Sequence, residues 1–260
     1  MPGTVNGFDA IADQYDALFD VPLRSAYDRL AWEHVRSLLP ASGGLVIDAG
    51  CGTGRWAGRI TRRGHQVVGI DSSAAMARLA RGRAVAGFSV VEEAIETVEM
   101  PAGSADVVLA MGSLQYTTEP GATVRRLAGW LRPNGALCVL VDSLVALAVE
   151  LNRGGRREEA IDRLNTGRAV WSPDGQRIPH HVLTRTRLER AFRDAGLCRV
   201  TTQGLIVGAT ALGRDEFTAR LDARGARQLD LERRLAAVPG LADLGKHLLV
   251  TGHAAAEPRP

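Results

Sequence analysis

Leu45-Val-Ile-Asp-Ala-Gly-Cys-Gly-Thr-Gly54 is the stretch on which the fold turns. An apolar run of strand length passes directly into three glycines at alternate positions, Gly50, Gly52 and Gly54, and a helical pattern with Trp56 and Ile60 follows. Glycines there let the backbone turn sharply and approach a ligand, where any Cβ would intrude. A dinucleotide loop wants G-x-G-x-x-G, and its third glycine would fall at Arg55. Asp48, just before the first glycine, would repel a pyrophosphate and better suits a ligand with a cationic centre and an ammonium group. No GxxxxGK[ST] motif occurs, which excludes a P-loop.

Working outward, the next strand ends at Asp71, 21 residues after Gly50. A carboxylate there can accept both hydroxyls of a ribose, each charge-assisted bond being worth about 1.5–3 kcal/mol. Asp71 can equally cap the helix that begins around Ser72 and Ser73. Strands are predicted at 45–49, 66–70, 88–91, 106–110, 136–141, 199–208 and 247–253, with helical patterns between them. That alternation is the signature of a parallel sheet covered on both faces. Residues 144–182 break it. Past an apolar start they are polar and arginine-rich, where a lid or inserted helix would sit. The organisation predicted is one domain over 1–260. It divides into an N-terminal helical cap (1–40), a cofactor-binding half (41–143), a lid (144–182) and an acceptor-side half (183–260).

The 260 residues, 45% of them apolar, suffice for a buried core. No apolar run reaches the roughly 18–20 residues that span a bilayer. The first twenty residues carry four aspartates, no Lys or Arg and no apolar centre, so no secretion signal is predicted. Cys51, Cys138 and Cys198 lie far apart without CxxC spacing; this points to a reducing cytoplasm and to no metal site. Charge is uneven. Residues 1–143 hold 13 basic and 15 acidic side chains, and residues 144–260 hold 19 and 14. An anionic acceptor, an RNA-binding patch and a solvated arginine-rich surface are all compatible with that surplus.

These motifs resemble the class I S-adenosylmethionine-dependent methyltransferases. The matching residues are Val46–Gly54, Val68–Met76 and Ala105–Met111, with Leu131-Arg-Pro-Asn-Gly135 before the fifth strand and Phe8–Asp16 at the N-terminus. They stand in the family's order over residues 8 to 142. The resemblance implies an α/β fold with a Rossmann-like seven-stranded sheet, ordered 3-2-1-4-5-7-6 with the last strand antiparallel. It also implies S-adenosyl-L-methionine as cofactor. Carried over by position, Gly50, Cys51 and Gly52 would form the loop at the methionine moiety, with Asp48 near its ammonium. Asp71 would hold the ribose; Ser72 and Met76 would flank the adenine, with Ala94 and Ile95 at its edge. Met111 and Gly112 would touch the cofactor from the fourth strand, and Tyr15 would close over it. Glu93 stands where many relatives carry an Asp.

On the acceptor side, Ser113, Gln115 and Tyr116 after the fourth strand and Asp142 after the fifth face the expected pocket. Relatives often carry a His in the 114–116 stretch, and this chain does not. The catalytic candidates are therefore Tyr116 and the lid pair His180 and His181, of which at most one histidine can serve because adjacent side chains point different ways. Arg153, Arg156, Arg157 and Arg177 are candidates to clamp a carboxylate or phosphate. The leading reading is methyl transfer to a small-molecule acceptor in biosynthesis, through oxygen, nitrogen, carbon or a carboxylate. The alternatives are a tRNA-modifying methyltransferase, a protein that binds S-adenosylmethionine without transferring methyl, and a nicotinamide oxidoreductase.

Overall fold

A computed structural model of the chain describes residues 2–256. Helices α1 (Pro2–Ile11), α2 (Tyr15–Phe19) and α3 (Pro22–Leu38) come first, α3 opening on a proline whose fixed φ suits a first helical turn. The βα alternation follows: β1 (Leu45–Ala49), α4 (Ala57–Thr61), β2 (Gln66–Asp71), α5 (Ala74–Gly82), β3 (Phe88–Glu92), β4 (Ala105–Met111), α6 (Pro120–Gly129) and β5 (Leu131–Asp142). Between β5 and the last part of the sheet stand α7 (Leu144–Arg153), α8 (Arg157–Thr166) and a hairpin, β6 (Arg168–Trp171) with β7 (Ile178–His181). Then come α9 (Arg185–Asp194), β8 (Cys198–Leu205), α10 (Val207–Leu212), α11 (Arg214–Ala236) and β9 (His247–His253).

The sheet runs β3-β2-β1-β4-β5-β9-β8. With the hairpin strands left out of the count, this is the expected Rossmann-like 3-2-1-4-5-7-6 order. β9 is antiparallel to both its neighbours, and the pairings among β1 to β5 are parallel. Successive strand residues point to opposite faces, so Val46 packs with α3, α4 and α11 while Ile47 packs with α6 and α9. Both faces of the central strands are thus covered, which is why they read as apolar runs rather than alternating ones. Strand order reverses at β1, between β2 and β4, and a crevice opens beyond the carboxyl ends of the strands there.

One segment holds helices where a lid or inserted helix was expected, and another differs from expectation. The 144–182 stretch folds into two helices and a hairpin: Ser143 caps α7 by accepting from Ala146 N at 3.2 Å, and a bridge between Ser143 and Leu183 ties the stretch to the carboxyl end of β5. The strand predicted over 199–208 ends at Leu205. Ile206 adopts a left-handed φ of 61°, and the chain turns into α10 because the buried Glu232 carboxylate accepts the Gly208 N–H. Nearly half of α11 is charged, with Phe217, Leu229 and Ala236 among its few inward residues, so its pattern is faint in the sequence. Among the described residues, no helix is long and apolar enough to cross a membrane.

Candidate active site

Two adjoining cavities open at the carboxyl ends of the strands. The first lies over the loop after β1. Gly50 has φ +81°, and a Cβ there would run into the Ser113 side chain, so both backbone conformation and space demand glycine. Gly50 N and Cys51 N both donate to Ile70 O, at 2.7 and 2.9 Å, which pins the loop against β2. Asp71, at the end of β2, accepts from Gly52 N at 2.7 Å and from Ser73 N at 3.0 Å. Burial raises its carboxyl above the ordinary range, and those two N–H donors pull it back. An ionised carboxylate offers about four lone-pair sites, so two remain for a ligand.

Tyr15, Gly50, Gly52, Asp71, Ser72, Met76, Ala94, Ile95, Met111 and Gly112 all line this cavity, as do Phe8, Ser73, Glu96, Ser113, Tyr116 and Thr117. The N-terminal helices close it. Asp9 accepts from Ser73 Oγ at 2.5 Å and Ala75 N at 3.1 Å, and Asp16 accepts from Thr53 Oγ1 at 2.7 Å. Phe8 meets Tyr116 edge-on with ring centroids 4.9 Å apart. Burial pushes the Tyr15 phenol up to about 12, so it stays protonated.

Asp48 lies off the wall of this first cavity, and Cys51 lines an adjoining space with Tyr15, Gly50, Gly52 and Met111. Asp48 is only 1% exposed, sits beneath the glycine loop and is not on the cavity wall. Neither of its oxygens has a partner, and burial with the nearby Asp71 pushes its carboxyl up to about 7. Cys51 turns its sulfur toward Gly69 of β2, since the parallel pairing brings that glycine under the loop.

The second cavity lies beyond Tyr116, between α3, the β6–β7 hairpin and the start of β9. A narrower space lined by Tyr15, Met111, Gly112, Tyr116, Asp142 and His247 joins the two. Asp142 is its chemical centre. It ends β5, and the antiparallel register sets it directly opposite His247, the first residue of β9. His247 Nδ1 lies 2.9 Å from Asp142 Oδ1, and His180 Nε2 lies 3.5 Å from Oδ2. Gln115 donates to Oδ2 at 3.1 Å and accepts from Asp142 N at 2.8 Å. Burial works against ionisation of Asp142, yet hydrogen bonds from His180 and His247 hold its carboxyl well below the usual range. Burial lowers His247 below an ordinary imidazole, with Asp142 opposing.

Of the histidine pair, His180 faces this cavity and His181 does not. His181 Nε2 is 3.3 Å from Thr118 O, on the other side of the strand, and burial with Arg168 nearby lowers its pKa. Tyr116 lines both the first cavity and the joining space, and burial and Asp142 raise its phenol, so it stays protonated. The four lid arginines lie outside: Arg153 donates to Thr210 O, Arg156 pairs with Glu159, and Arg157 and Arg177 are exposed. The cations that do line the second cavity are Arg24, Arg214 and Lys246. His247 had a readable signal, because antiparallel pairing of the last strand with the fifth sets its first residue against the residue that ends the fifth.

A family model described as a methyltransferase domain matches residues 47–139. The ubiquinone biosynthesis O-methyltransferase of Rhodopseudomonas palustris (strain HaA2) is 35% identical over 203 residues, covering 77% of this chain and 76% of that protein. The chain belongs to the class I S-adenosylmethionine-dependent methyltransferases. The protein of the same name from Bradyrhizobium sp. (strain ORS 278) is 36% identical over 125 residues, 45% of this chain and 49% of its own length. The S-adenosylmethionine-dependent methyltransferase from Mesorhizobium loti shares the fold, with a TM-score of 0.57 at 20% identity over 87% of this chain and 99% of that one.

The first cavity of this methyltransferase fits its cofactor. The Gly50 cradle leaves room a Cβ would fill, Asp71 retains acceptor capacity for hydroxyls, and Asp48 is an orphaned carboxylate behind the loop that an ammonium would compensate.

Proposed function

We propose that this methyltransferase moves the methyl group to a hydroxyl oxygen of a small acceptor seated in the second cavity, with His247 as general base. The Asp142–His247 pair at the junction of the two cavities is the observation that carries this reading. Asp142 holds the Nδ1–H tautomer, which leaves Nε2 with a free lone pair toward the cavity. His247 then takes the hydroxyl proton as the oxygen attacks, and Asp142 stabilises the imidazolium that forms. His180 bonds the other oxygen of Asp142, and Gln115 fixes that carboxylate from below. Bound S-adenosylmethionine supplies a methyl group already activated by its sulfonium. The protein's share is therefore alignment, proton removal and exclusion of water.

In the same reading, Gly50, Cys51 and Gly52 form the methionine loop, with Asp48 as counter-charge beneath it. Asp71 takes the ribose, Ser72, Met76, Ala94 and Ile95 surround the adenine, and Tyr15, Met111 and Gly112 bound the reacting end. The O-methyltransferase names of the relatives support transfer to oxygen. The walled second cavity supports a small acceptor over a tRNA. Arg24, Arg214 and Lys246, rather than the lid arginines, stand where an anionic group on that acceptor would meet a cation. A cytoplasmic location is compatible with three unpaired cysteines.

The test is a panel of phenols, catechols, amines and carboxylic acids incubated with S-adenosylmethionine, with methylated products identified by mass spectrometry. Products methylated on oxygen of hydroxylated acceptors are expected, and products methylated solely on nitrogen or carbon would overturn the assignment.

A further inference from the structure

Three cationic side chains and two carboxylates line the second cavity. Lys246 is neutralised by Glu150, its ammonium 2.9 Å from both carboxylate oxygens. Asp142 is held by His180, His247 and Gln115. Arg214 is exposed at the start of α11. Arg24 is left: half-buried, it has no hydrogen-bond or ion-pair partner for its guanidinium among the described residues.

Arg24 is nevertheless held in place. Its guanidinium carbon lies 3.8 Å from the Phe19 ring centroid and 5.2 Å from that of Tyr27. Stacking of this kind occupies the flat face of the guanidinium and leaves its edge N–H groups free for a planar, two-oxygen partner. A cation ordered before the ligand arrives loses little further freedom on binding. It also lines the space joining the two cavities, together with Asp142, His247 and Tyr116.

Building on the hydroxyl-acceptor reading, we infer that Arg24 binds a carboxylate on the acceptor, and that the substrate class is a planar aromatic acid bearing a hydroxyl. The hydroxyl meets His247 while the carboxylate meets the edge of Arg24. Tyr27 and Trp171, which line the same space, supply apolar contact for the ring between them. A singly charged carboxylate matches a single free guanidinium. A phosphate monoester would bring nearly two charges beside the ionised Asp142, with no second unpaired cation within the cavity wall to meet them, since Lys246 is held by Glu150 and Arg214 is exposed.

The experiment is calorimetric titration of the full chain, saturated with S-adenosylhomocysteine, with 3,4-dihydroxybenzoate, 3,4-dihydroxycinnamate, their methyl esters and catechol. The acids are expected to bind at least tenfold more tightly than their esters. In Arg24→Gln that ratio falls to about one, and in Arg24→Lys part of it returns. Thermal melts of both variants check that the fold is intact. Equal affinity of acids and esters for the wild type, absence of acid binding, or an acid preference that survives Arg24→Gln overturns the assignment. Methyl transfer to the same compounds is scored separately. Acid-selective binding without O-methylation leaves Arg24 as an anion site and removes the hydroxyl reading, whereas methylation without acid preference does the reverse.

Discussion

The cofactor cavity and the acceptor cavity adjoin, yet they are assembled in opposite ways. Apart from Phe8 and Tyr15, the residues lining the first lie between Gly50 and Thr117, on loops that follow consecutive parallel strands. Those lining the second come from α2 and α3, the end of β5, α7, the β6–β7 hairpin, the turn at Ile206, the start of α11 and the start of β9. Asp142 and His247 are more than a hundred residues apart and meet only because β9 pairs antiparallel with β5. A site made of successive strand-end loops writes itself as a compact motif. A site made by long-range pairing leaves scattered residues whose chemistry appears only once register is set.

The sharpest way to break this contrast is His247→Ala. Loss of a general base is expected to lower kcat/KM by about 10²–10⁴-fold, with S-adenosylhomocysteine affinity unchanged by calorimetry. The acid limb of the wild-type pH profile should lie below the ordinary imidazole value of about 6.5, because burial favours the neutral base and activity rises as His247 loses its proton. A variant that keeps both the rate and that limb sinks the base assignment.

Asp71→Ala tests the other cavity. Removal of one charge-assisted acceptor, worth about 1.5–3 kcal/mol, should weaken S-adenosylmethionine binding roughly tenfold to a hundredfold. The loop also loses the bonds to Gly52 N and Ser73 N. Unchanged cofactor affinity would mean that Asp71 serves only as a local brace.

Gln115→Ala sits between the two regions. It strips Asp142 of one side-chain donor and leaves the Asp142 N–H without its acceptor. A loss of about 1–2 kcal/mol predicts a five- to thirtyfold drop in kcat, larger than any change in cofactor affinity. Equal losses in both would show that the cavities are mechanically coupled through the Leu114–Tyr116 turn.

Asp48→Asn has its expected effect on stability. The Asp48 carboxyl is raised to about 7 in the fold, against about 3.9 when unfolded, so the folded state binds the extra proton and stability falls as pH rises between those values. The variant lacks that slope. Its melting temperature relative to wild type should therefore climb by roughly ten degrees from pH 4 to pH 7, measured without cofactor. A flat difference would indicate that the carboxylate finds a partner in solution.

Much of this protein was legible in residues 45–111. The glycine loop, Asp71 at the end of the second strand and the apolar strand runs announce themselves because turn chemistry and side-chain periodicity act over a few residues. Asp48 and Cys51 show the limit of a positional motif: both stand in the right stretch, yet strand pleating turns Asp48 beneath the loop, and the turn after β1 sets the Cys51 sulfur toward Gly69. His180 and His181 show the same limit, since pleating sends one to Asp142 and the other to Thr118.

The amino-acid sequence alone therefore settled the alternation of strands and helices and the location of the glycine loop, which follow from local backbone preference and apolar patterning, while the order of strands in the sheet and the cofactor came from the resemblance of its motifs to a family. The tertiary structure decided which histidine meets the carboxylate and which arginine remains free. Those outcomes depend on the register of β9 against β5, on the fold-back of the β6–β7 hairpin and on the pairing of Lys246 with Glu150. Each joins residues far apart in the chain, where the energy of contact comes from burial and pairing that no local stretch of residues contains.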